Sequence, residues 1–257
     1  MNLKSKSIMF QFYCFLLTFI VIFSSCSENK KHIKAIQEIK NESKIDSNQH
    51  CLNPIDTIFY DSIHDIVAIN TLRTDIYIEL KYATIDNFMK CILYPNAKHL
   101  FLEKSVAFRL FKCQDYLTRL DSNLHLLVYD GLRPLRIQQK MWDALDTIPI
   151  NERVKFVSNP KKRSLHNYGA AIDLTICTND SVVLDMGAGY DDLNLIAYPK
   201  FEKQFVDSGV LSLKQINNRR LLREVMASQG FKNISTEWWH FNAFIRDEAK
   251  KKLRLIN

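Results

Sequence analysis

The chain has 257 residues, of which 47% are hydrophobic and 25% are charged. This length and composition suffice for one domain with a buried core, and they exclude a chain that is disordered throughout. The formal net charge is +7, but the basic residues are scattered, and the run Lys161-Lys162-Arg163 is short. Such a run is typical of a solvated loop, so we predict no nucleic-acid partner.

The first 25 residues have the features of an export signal. Lys4 and Lys6 precede an apolar stretch from Ile8 to Phe23, and two serines follow it. A basic segment, an apolar core and a small-residue cleavage zone, in this order, are typical of signal peptides. The stretch of roughly 16 residues is marginal for a membrane span, which needs about 20.

The segment Phe23-Ser24-Ser25-Cys26 resembles the lipobox of bacterial lipoproteins, in which the cysteine is acylated. We therefore predict a lipoprotein signal peptide over residues 1–25, a membrane anchor through a lipid on Cys26, and an exported protein on the periplasmic side of a bacterial membrane. An uncleaved anchor helix or ordinary cleavage near Ser25 are the alternatives. Both also place the folded part outside the cytoplasm.

Residues 26–54 are rich in Lys, Asn, Ser and Glu and poor in aromatic residues, which predicts a polar tether. Beyond Cys26 the sequence has four more cysteines: Cys51, Cys91, Cys113 and Cys177. Four cysteines allow three full pairings, and the sequence does not choose among them or between buried thiols and one bridge. None lies in a CxxC pair, which disfavours a zinc site built from thiolates.

The folded domain is predicted over residues 55–257. Alternation over residues 75–80 and short apolar runs over 125–129 and 170–176 predict strands, and a final β-rich run spans 234–244. Apolar residues at helical spacing predict three helices. The first helix is marked by Val106, Leu110, Cys113, Leu117 and Leu120, the second by Ile137, Met141 and Leu145, and the third by Leu221, Leu222, Val225 and Met226.

We expect Gly230 to cap the third helix. Helices and strands mix without strict alternation along the chain. This order favours a single α+β domain with a mostly antiparallel sheet flanked by helices.

A first polar cluster runs from Ser164 through His166 to Asp173. Imidazole and carboxylate groups are both good zinc ligands. The chain must bend between the two, and Gly169 permits such a bend because glycine adopts backbone angles closed to other residues. Taken alone, however, a histidine near an aspartate is more commonly a structural pair.

A second cluster is Glu237-Trp238-Trp239-His240. Zinc hydrolases use three protein ligands, an open position for water and a nearby carboxylate that accepts a proton. His240 could complete the ligand set and Glu237 could be the base, provided that the segment turns or bulges, because positions three apart on a strand face opposite ways. The alternative is that the tryptophans are core residues and the polar pair is incidental.

A third element, Asp130-Gly-Leu-Arg133-Pro134, follows an apolar strand. Peptide hydrolysis develops negative charge on the carbonyl oxygen, which a fixed guanidinium can stabilise. Asp130 could orient Arg133 or contact the substrate. A plain turn with a surface arginine is the alternative.

Together these elements resemble the D-Ala-D-Ala dipeptidases of the VanX type, within the zinc D-Ala-D-Ala peptidases of peptidase family M15. The resemblance covers roughly residues 82–241 and implies a hedgehog/DD-peptidase-like fold. Beside the three elements above, the matching motifs are Tyr82-Ala-Thr-Ile-Asp-Asn-Phe88, Leu184-Asp-Met-Gly187 and Asn218-Arg-Arg220. Asn167-Tyr168 departs from the family, where Ser-Arg is familiar.

The resemblance implies a role for each matched residue. His166, Asp173 and His240 fall on the ligands of one zinc ion per chain. Glu237 falls on the catalytic base and Arg133 on the residue that stabilises the transition state.

Three further residues are expected to contact substrate. Ser164 falls on a substrate contact of the family, and Asp130 is the neighbour of Arg133 described above. Asp192, just past the Asp-Met-Gly motif, falls on the group that binds the free amine of the substrate.

The activity implied is zinc-dependent hydrolysis of the D-Ala-D-Ala dipeptide, in the turnover of cell-wall dipeptides outside the membrane. One alternative is a D,D- or L,D-carboxypeptidase acting on peptidoglycan peptides with the same zinc constellation. Another is a non-catalytic lipoprotein that binds wall peptides through the zinc fold. Such descendants usually lack the base or the arginine, whereas Glu237 and Arg133 are both present.

Overall fold

The structure is a computed structural model that describes residues 65–257. The predicted signal peptide, Cys26, the tether, Cys51 and the first ten residues of the predicted domain lie outside the described residues. Within residues 65–257, no helix combines the length and the apolar character that crossing a bilayer requires.

The described residues form seven strands and six α-helices, joined by loops and short 3-10 helices. In chain order these are β1 Ile66–Ala68, α1 Ile69–Leu72, β2 Tyr77–Ile78, β3 Phe101–Glu103, α2 Lys104–Leu120, β4 Leu124–Asp130, α3 Leu135–Asp143, β5 Ala171–Thr178, α4 Glu202–Asp207, α5 Leu213–Ala227, β6 Lys232–Asn233, β7 His240–Asn242 and α6 Arg246–Lys252.

Five of the strands form the main sheet, in the order β2-β4-β5-β7-β6. Strand β2 joins β4 in parallel, whereas the other three pairings in this sheet are antiparallel. Strands β1 and β3 form a separate antiparallel pair. The α+β class is therefore confirmed, and the prediction of a mostly antiparallel sheet holds in part.

The main core lies between one face of the sheet and helices α2 and α5. Alternate residues of β5, namely Ile172, Leu174 and Ile176, are buried in it, and burying each such side chain stabilises the fold by roughly 1.5–3 kcal/mol. Because successive strand residues face opposite sides, Ala171, Asp173 and Thr175 point to the other face. The polar cluster of the sequence therefore lies across the sheet from α2 and α5.

Helix α2 begins where the Glu103 carboxylate accepts a hydrogen bond from the Val106 backbone nitrogen at 3.1 Å, which satisfies one free donor of the first turn. Its predicted apolar face is buried except for Leu120, which is 50% exposed. Leu120 is the last helical residue, so it lies at the edge of the core rather than over it.

One of two predicted helix ends differs from that observed. Helix α3 ends at Asp143, so Leu145 is buried in the following turn rather than on the helix. The last residue of helix α5 is Ala227. After it, Gly230 has a positive φ of 75° and its backbone nitrogen donates to the carbonyl oxygen of Ala227 at 2.9 Å, while Phe231 donates to that of Met226 at 3.2 Å. This is the usual glycine cap of a helix C-terminus, so the predicted role of Gly230 is confirmed.

The predicted β-rich run over residues 234–244 is a strand only over His240–Asn242. Before this strand the chain bends, and the side-chain amide of Asn233 holds the bend by donating to the carbonyl oxygens of Glu237 and His240 at 2.9 and 2.8 Å. The bend that the Glu237–His240 spacing required is therefore present.

The cysteines that the structure describes are all buried. Cys113 and Cys177 are thiols outside any disulfide, and Cys91 is buried as well. Burial raises the pKa of the Cys113 thiol to about 12, so it is unreactive near neutral pH.

Candidate metal centre and substrate cavity

Strand pairing aligns three polar residues of the predicted site. Asp130 on β4 lies opposite Asp173 on β5, and Asp173 lies opposite His240 on β7. The β4–β5 register shifts between Val128 and Asp130. Bulges of this kind re-aim side chains next to functional sites. The row across three strands therefore brings residues far apart in sequence to one place.

His166 reaches this row from a short 3-10 helix, Leu165–Tyr168. Ser164 caps this helix: its hydroxyl accepts from the backbone nitrogen of His166 at 3.3 Å. Gly169 ends the helix with a φ of +62°, and a Cβ at this position would come within 2.6 Å of the backbone nitrogen of Glu103. Glycine is therefore required both for the turn into β5 and for the close approach of the two chain segments.

The three predicted ligand residues converge. The Nε2 atom of His166 lies 3.1 Å from Nδ1 of His240 and 3.5 Å from Oδ1 of Asp173, and the last two atoms are 2.9 Å apart. Tetrahedral zinc with ligands at about 2.0–2.1 Å places its ligand atoms about 3.3 Å apart. Among residues 65–257, this is the one group of three or more such side chains with metal-binding spacing.

In His166 and His240, the hydrogen bond made by the outer ring nitrogen determines which ring nitrogen can bind a metal. Nδ1 of His166 lies 2.7 Å from the carbonyl oxygen of Gly131, and Nε2 of His240 lies 2.9 Å from Oδ1 of Asn242. Both oxygens are acceptors, so both nitrogens donate. When Nε2 of His166 and Nδ1 of His240 carry no proton, they present lone pairs to each other and to a carboxylate. Three electron-rich atoms that close together fit a cation.

The pKa shifts of Asp173 and His240 agree with a cation site at this position. Although burial opposes ionisation, the two histidines hold the pKa of Asp173 well below its usual range. Burial by itself lowers the pKa of His240, but the hydrogen bond and the charge of Asp173, together with the charge of Glu237 and the hydrogen bond with Asn242, outweigh it and raise that pKa to about 9. In the metal-free protein a proton therefore lies between His240 and Asp173, where a metal ion would otherwise bind.

Tyr190, which was not predicted, supports the predicted ligand Asp173. Its hydroxyl donates to Oδ2 of Asp173 at 3.2 Å, and its ring packs on Tyr129 at 4.8 Å and on Trp239 at 5.5 Å between centroids. This bond occupies one carboxylate oxygen and leaves Oδ1 facing the two histidines. A loop tyrosine with a partner 17 residues away gives no periodic signal, so the sequence alone did not point to it.

A cavity opens beside the cluster. Its lining includes the three predicted ligand residues together with Arg133, Ser164, Asp191, Glu237, Asn242 and Arg246. The Glu237 carboxylate lies 3.8 Å from Nδ1 of His240. Burial raises the pKa of Glu237, and the neighbouring His240 opposes that rise. Trp238 and Trp239 are each 2% exposed, so they are core residues while Glu237 lines the cavity.

Arg133 is held rigidly at the cavity wall. Its Nε and Nη2 atoms donate to one oxygen of Asp130 at 2.9 and 2.6 Å, and Nη1 donates to Gln138 at 3.2 Å. The guanidinium carbon also lies 5.0 Å from the centre of the Tyr82 ring. Asp130 is 1% exposed and does not line the cavity. Of its two predicted roles, orienting Arg133 agrees with this position and contacting substrate does not.

In the loop after the Asp-Met-Gly motif, Asp191 lines the cavity and the predicted Asp192 does not. The Asp191 carboxylate accepts from the Tyr82 hydroxyl at 3.3 Å and from the Phe88 backbone nitrogen at 3.4 Å. Burial, reinforced by the charge of Asp173, raises the pKa of Asp191 to about 8. Asp192 instead accepts hydrogen bonds from the backbone and side-chain nitrogens of Asn194 in a turn. The residue that lines the cavity is therefore one position earlier in the sequence than predicted.

The loop that carries Tyr190 and Asp191 is anchored by the Asn218-Arg-Arg motif on α5. Arg219 is 1% exposed and donates to the carbonyl oxygens of Met186 at 2.7 Å and Ile196 at 3.0 Å, on either side of the loop. Asn218 donates to the carbonyl oxygen of Asp185 at 2.7 Å. The motif therefore positions the site without lining the cavity.

Comparisons with known proteins give the following similarities. The family model for peptidase M15, described as D-Ala-D-Ala dipeptidase, matches residues 63–252. A D-alanyl-D-alanine dipeptidase of Escherichia coli is 33% identical over 69% of this chain and 83% of its own length. One from Enterococcus faecium is 29% identical over 66% of this chain and 86% of its own length. Among solved structures, the LdcB LD-carboxypeptidase is 18% identical with a TM-score of 0.36, covering 59% of this chain and 63% of its own.

Proposed function

This chain belongs to the D-Ala-D-Ala dipeptidase family of M15 peptidases, and from this we propose that it hydrolyses the free D-Ala-D-Ala dipeptide with the help of one zinc ion. The observation that carries the proposal is the triangle of His166, Asp173 and His240 atoms, with sides of 2.9–3.5 Å, beside the Glu237 carboxylate. A carboxylate next to three ligands is the arrangement that metal-assisted peptide hydrolysis needs.

In the proposed mechanism, His166, Asp173 and His240 hold the metal. Bound zinc would polarise the scissile carbonyl and lower the pKa of a water molecule towards about 7. The Glu237 carboxylate accepts a proton from the attacking water and returns it to the leaving amine. Its raised pKa brings it closer to the working pH, which suits a group that must both accept and donate a proton.

Arg133 has the complementary task of stabilising negative charge. Attack on the carbonyl carbon turns its oxygen into an oxyanion, and a guanidinium fixed in advance loses no free energy to reorganisation at that moment. Asp130 and Gln138 supply this fixation through three hydrogen bonds.

The substrate amine is assigned to Asp191, in place of Asp192. An ammonium group beside Asp191 would pair with a half-buried carboxylate that no cation of the described residues neutralises at ion-pair distance. Ser164, at the turn before His166, remains the proposed hydroxyl contact to substrate.

The test is a comparison of Glu237→Gln with the wild-type protein, loaded with zinc. Glutamine keeps the shape of the side chain but cannot accept the proton, so turnover of D-Ala-D-Ala should fall by about 10²–10⁴ while zinc content stays unchanged. The matched control is Glu152→Gln, on the surface and outside the cavity, which should behave as wild type. Normal hydrolysis by Glu237→Gln would contradict the assignment.

The same assay separates the alternatives. D-Ala-D-Ala, L-Ala-L-Ala and a wall pentapeptide ending in D-Ala-D-Ala would be offered at equal concentration. Faster cleavage of the pentapeptide would favour a carboxypeptidase. Zinc binding without hydrolysis of any substrate would favour a non-catalytic wall-binding protein.

We further propose that the protein is exported and anchored through a lipid on Cys26, with a role in turnover of wall-derived dipeptides. The support is the order of a basic segment, an apolar core and the Ser-Ser-Cys26 sequence. Protease treatment of intact spheroplasts should digest the domain. A domain left untouched under conditions that digest a known exported protein would contradict this location.

A further inference from the structure

The charged groups that line the cavity differ in whether the protein neutralises them. Arg133 is paired with Asp130, and Asp173 lies against both ligand histidines. Arg246 also lines the cavity, yet within residues 65–257 it forms no ion pair with any carboxylate. It is therefore a cation that the described part of the protein leaves without an opposite charge.

The Arg246 side chain is nevertheless held in place. It is the first residue of α6, and its Nη1 atom donates to the carbonyl oxygens of Lys162 at 3.0 Å and Arg163 at 2.8 Å. Its Nε and Nη2 atoms donate to no group of the described residues. These two atoms form one edge of the guanidinium, which binds a carboxylate through two parallel hydrogen bonds.

Two neighbours in the cavity lining also keep free donors. The Ser164 hydroxyl accepts from His166, but its own proton has no acceptor among residues 65–257. Asn242 uses its side-chain oxygen for His240, and no described group accepts from its side-chain nitrogen. This part of the lining thus offers hydrogen-bond donors and a positive charge, which suits an anionic group.

We propose that Arg246 binds the C-terminal carboxylate of the substrate, so that the cavity recognises a zwitterion, with Asp191 at the amine and Arg246 at the carboxylate. The inference rests on the proposed function, because it assigns the second charged end of the same dipeptide. It makes Arg246 a specificity-determining residue: a dipeptide with a free carboxylate can form the pair, and its C-terminal amide cannot.

The experiment crosses two proteins with two substrates. Wild type and Arg246→Gln, each loaded with zinc, are compared on D-Ala-D-Ala and on D-alanyl-D-alaninamide, which has the same peptide bond without the negative charge. Loss of a charge-assisted bidentate contact should raise the KM of Arg246→Gln for D-Ala-D-Ala about tenfold or more and leave kcat within about threefold. For the amide, both proteins should have the same KM.

Two further variants separate contact from other effects. Arg246→Lys keeps the positive charge but cannot form the bidentate hydrogen bond, so its KM for D-Ala-D-Ala should lie between those of wild type and Arg246→Gln. Lys161→Gln removes one exposed positive charge from the neighbouring segment and should leave KM unchanged for both substrates. Zinc content and the thermal midpoint of every variant are measured first, so that a misfolded protein is recognised.

An equal effect of Arg246→Gln on acid and amide, or no effect on either, in a wild-type background that hydrolyses D-Ala-D-Ala would overturn the Arg246 assignment alone. A wild-type protein that neither binds D-Ala-D-Ala in a calorimetric titration nor hydrolyses it would overturn both this inference and the proposed function.

Discussion

The metal cluster and the groups proposed to bind the substrate ends are built in different ways. His166, Asp173 and His240 are 2%, 3% and 9% exposed and are fixed by strand register and a capped turn. Asp191 lies on a loop, and Arg246 is the exposed first residue of a helix. The backbone therefore sets the geometry of the metal site, whereas recognition depends on single side-chain contacts from separate segments. Changes in the two regions should have different signatures.

The largest effect is expected from His166→Ala. Removing one of three ligands leaves a site that cannot complete zinc coordination, and turnover should fall on the order of 10³ or more together with zinc content. Metal analysis and hydrolysis of D-Ala-D-Ala are the measurements. His99→Ala, an exposed histidine that contacts Asn70 rather than the cluster, is the control and should retain both. Retention of zinc by His166→Ala would contradict the assignment of His166 as a zinc ligand.

Asp191→Asn should produce the opposite signature. The fold should persist, because asparagine has the shape of the protonated acid, and zinc content should be unchanged. Loss of the pairing with the substrate ammonium should lower kcat/KM about 10- to 100-fold, mainly through KM. Asp192→Asn is the matched control one position away, and its activity should stay within about twofold of wild type. A reversed order of these two variants would restore the sequence-based assignment.

The pH dependence of Asp191→Asn sharpens the same contrast. In the metal-free protein, burial and the charge of Asp173 raise the pKa of Asp191 to about 8. Burial, the larger of the two causes, also acts in the zinc-loaded enzyme, and only the ionised carboxylate attracts an ammonium group. The wild-type kcat/KM should therefore rise with pH as Asp191 ionises, through a pKa above the usual range of aspartate, and Asp191→Asn should lose this rise. A rise that stays unchanged in the variant would assign it to another group.

The convergence of the predicted ligand residues could be anticipated from the sequence because ligand chemistry limits the residue types. Few places in this chain combine a histidine and a carboxylate with a glycine turn or with an aromatic segment. The structure brings the three expected ligand residues and Glu237 to one place. The fold class and the principal helix and strand positions also followed from apolar spacing, since burial on one face imposes a period on the sequence.

Recognition was less predictable because it depends on loop geometry. The chain places two aspartates in a row, and only the conformation of the loop decides that Asp191 reaches the cavity while Asp192 bonds to Asn194. Arg246 and Tyr190 belong to no chemical motif in the sequence. The end of the β-rich run was also missed, because the bend before His240 depends on hydrogen bonds from the Asn233 side chain rather than on local propensity.

Tyr190 lies between the two regions: it is next to Asp191 in sequence, but its hydroxyl donates to the proposed ligand Asp173. Tyr190→Phe removes the hydroxyl and should weaken zinc binding about tenfold, the lower end of the effect of losing a hydrogen bond to a ligand. Excess zinc should restore kcat. Tyr129→Phe, whose ring packs on Tyr190, is the control and should bind zinc as wild type. A change in KM without a change in zinc affinity would place Tyr190 with the recognition groups.

The smallest expected effect is a proton released when zinc binds, and it tests the metal side without any substitution. In the metal-free protein the hydrogen bond and charge of Asp173, with help from Glu237 and Asn242, together outweigh burial and raise the pKa of His240 to about 9, so Nδ1 is protonated near neutral pH. Zinc must displace that proton. Calorimetric titrations in buffers of different ionisation enthalpy should therefore detect about one proton released per zinc near pH 7.5, and a release that declines as the pH passes about 9. Zinc affinity should weaken by about tenfold for each pH unit below that value, whereas binding without proton release would mean that His240 already presents a free lone pair.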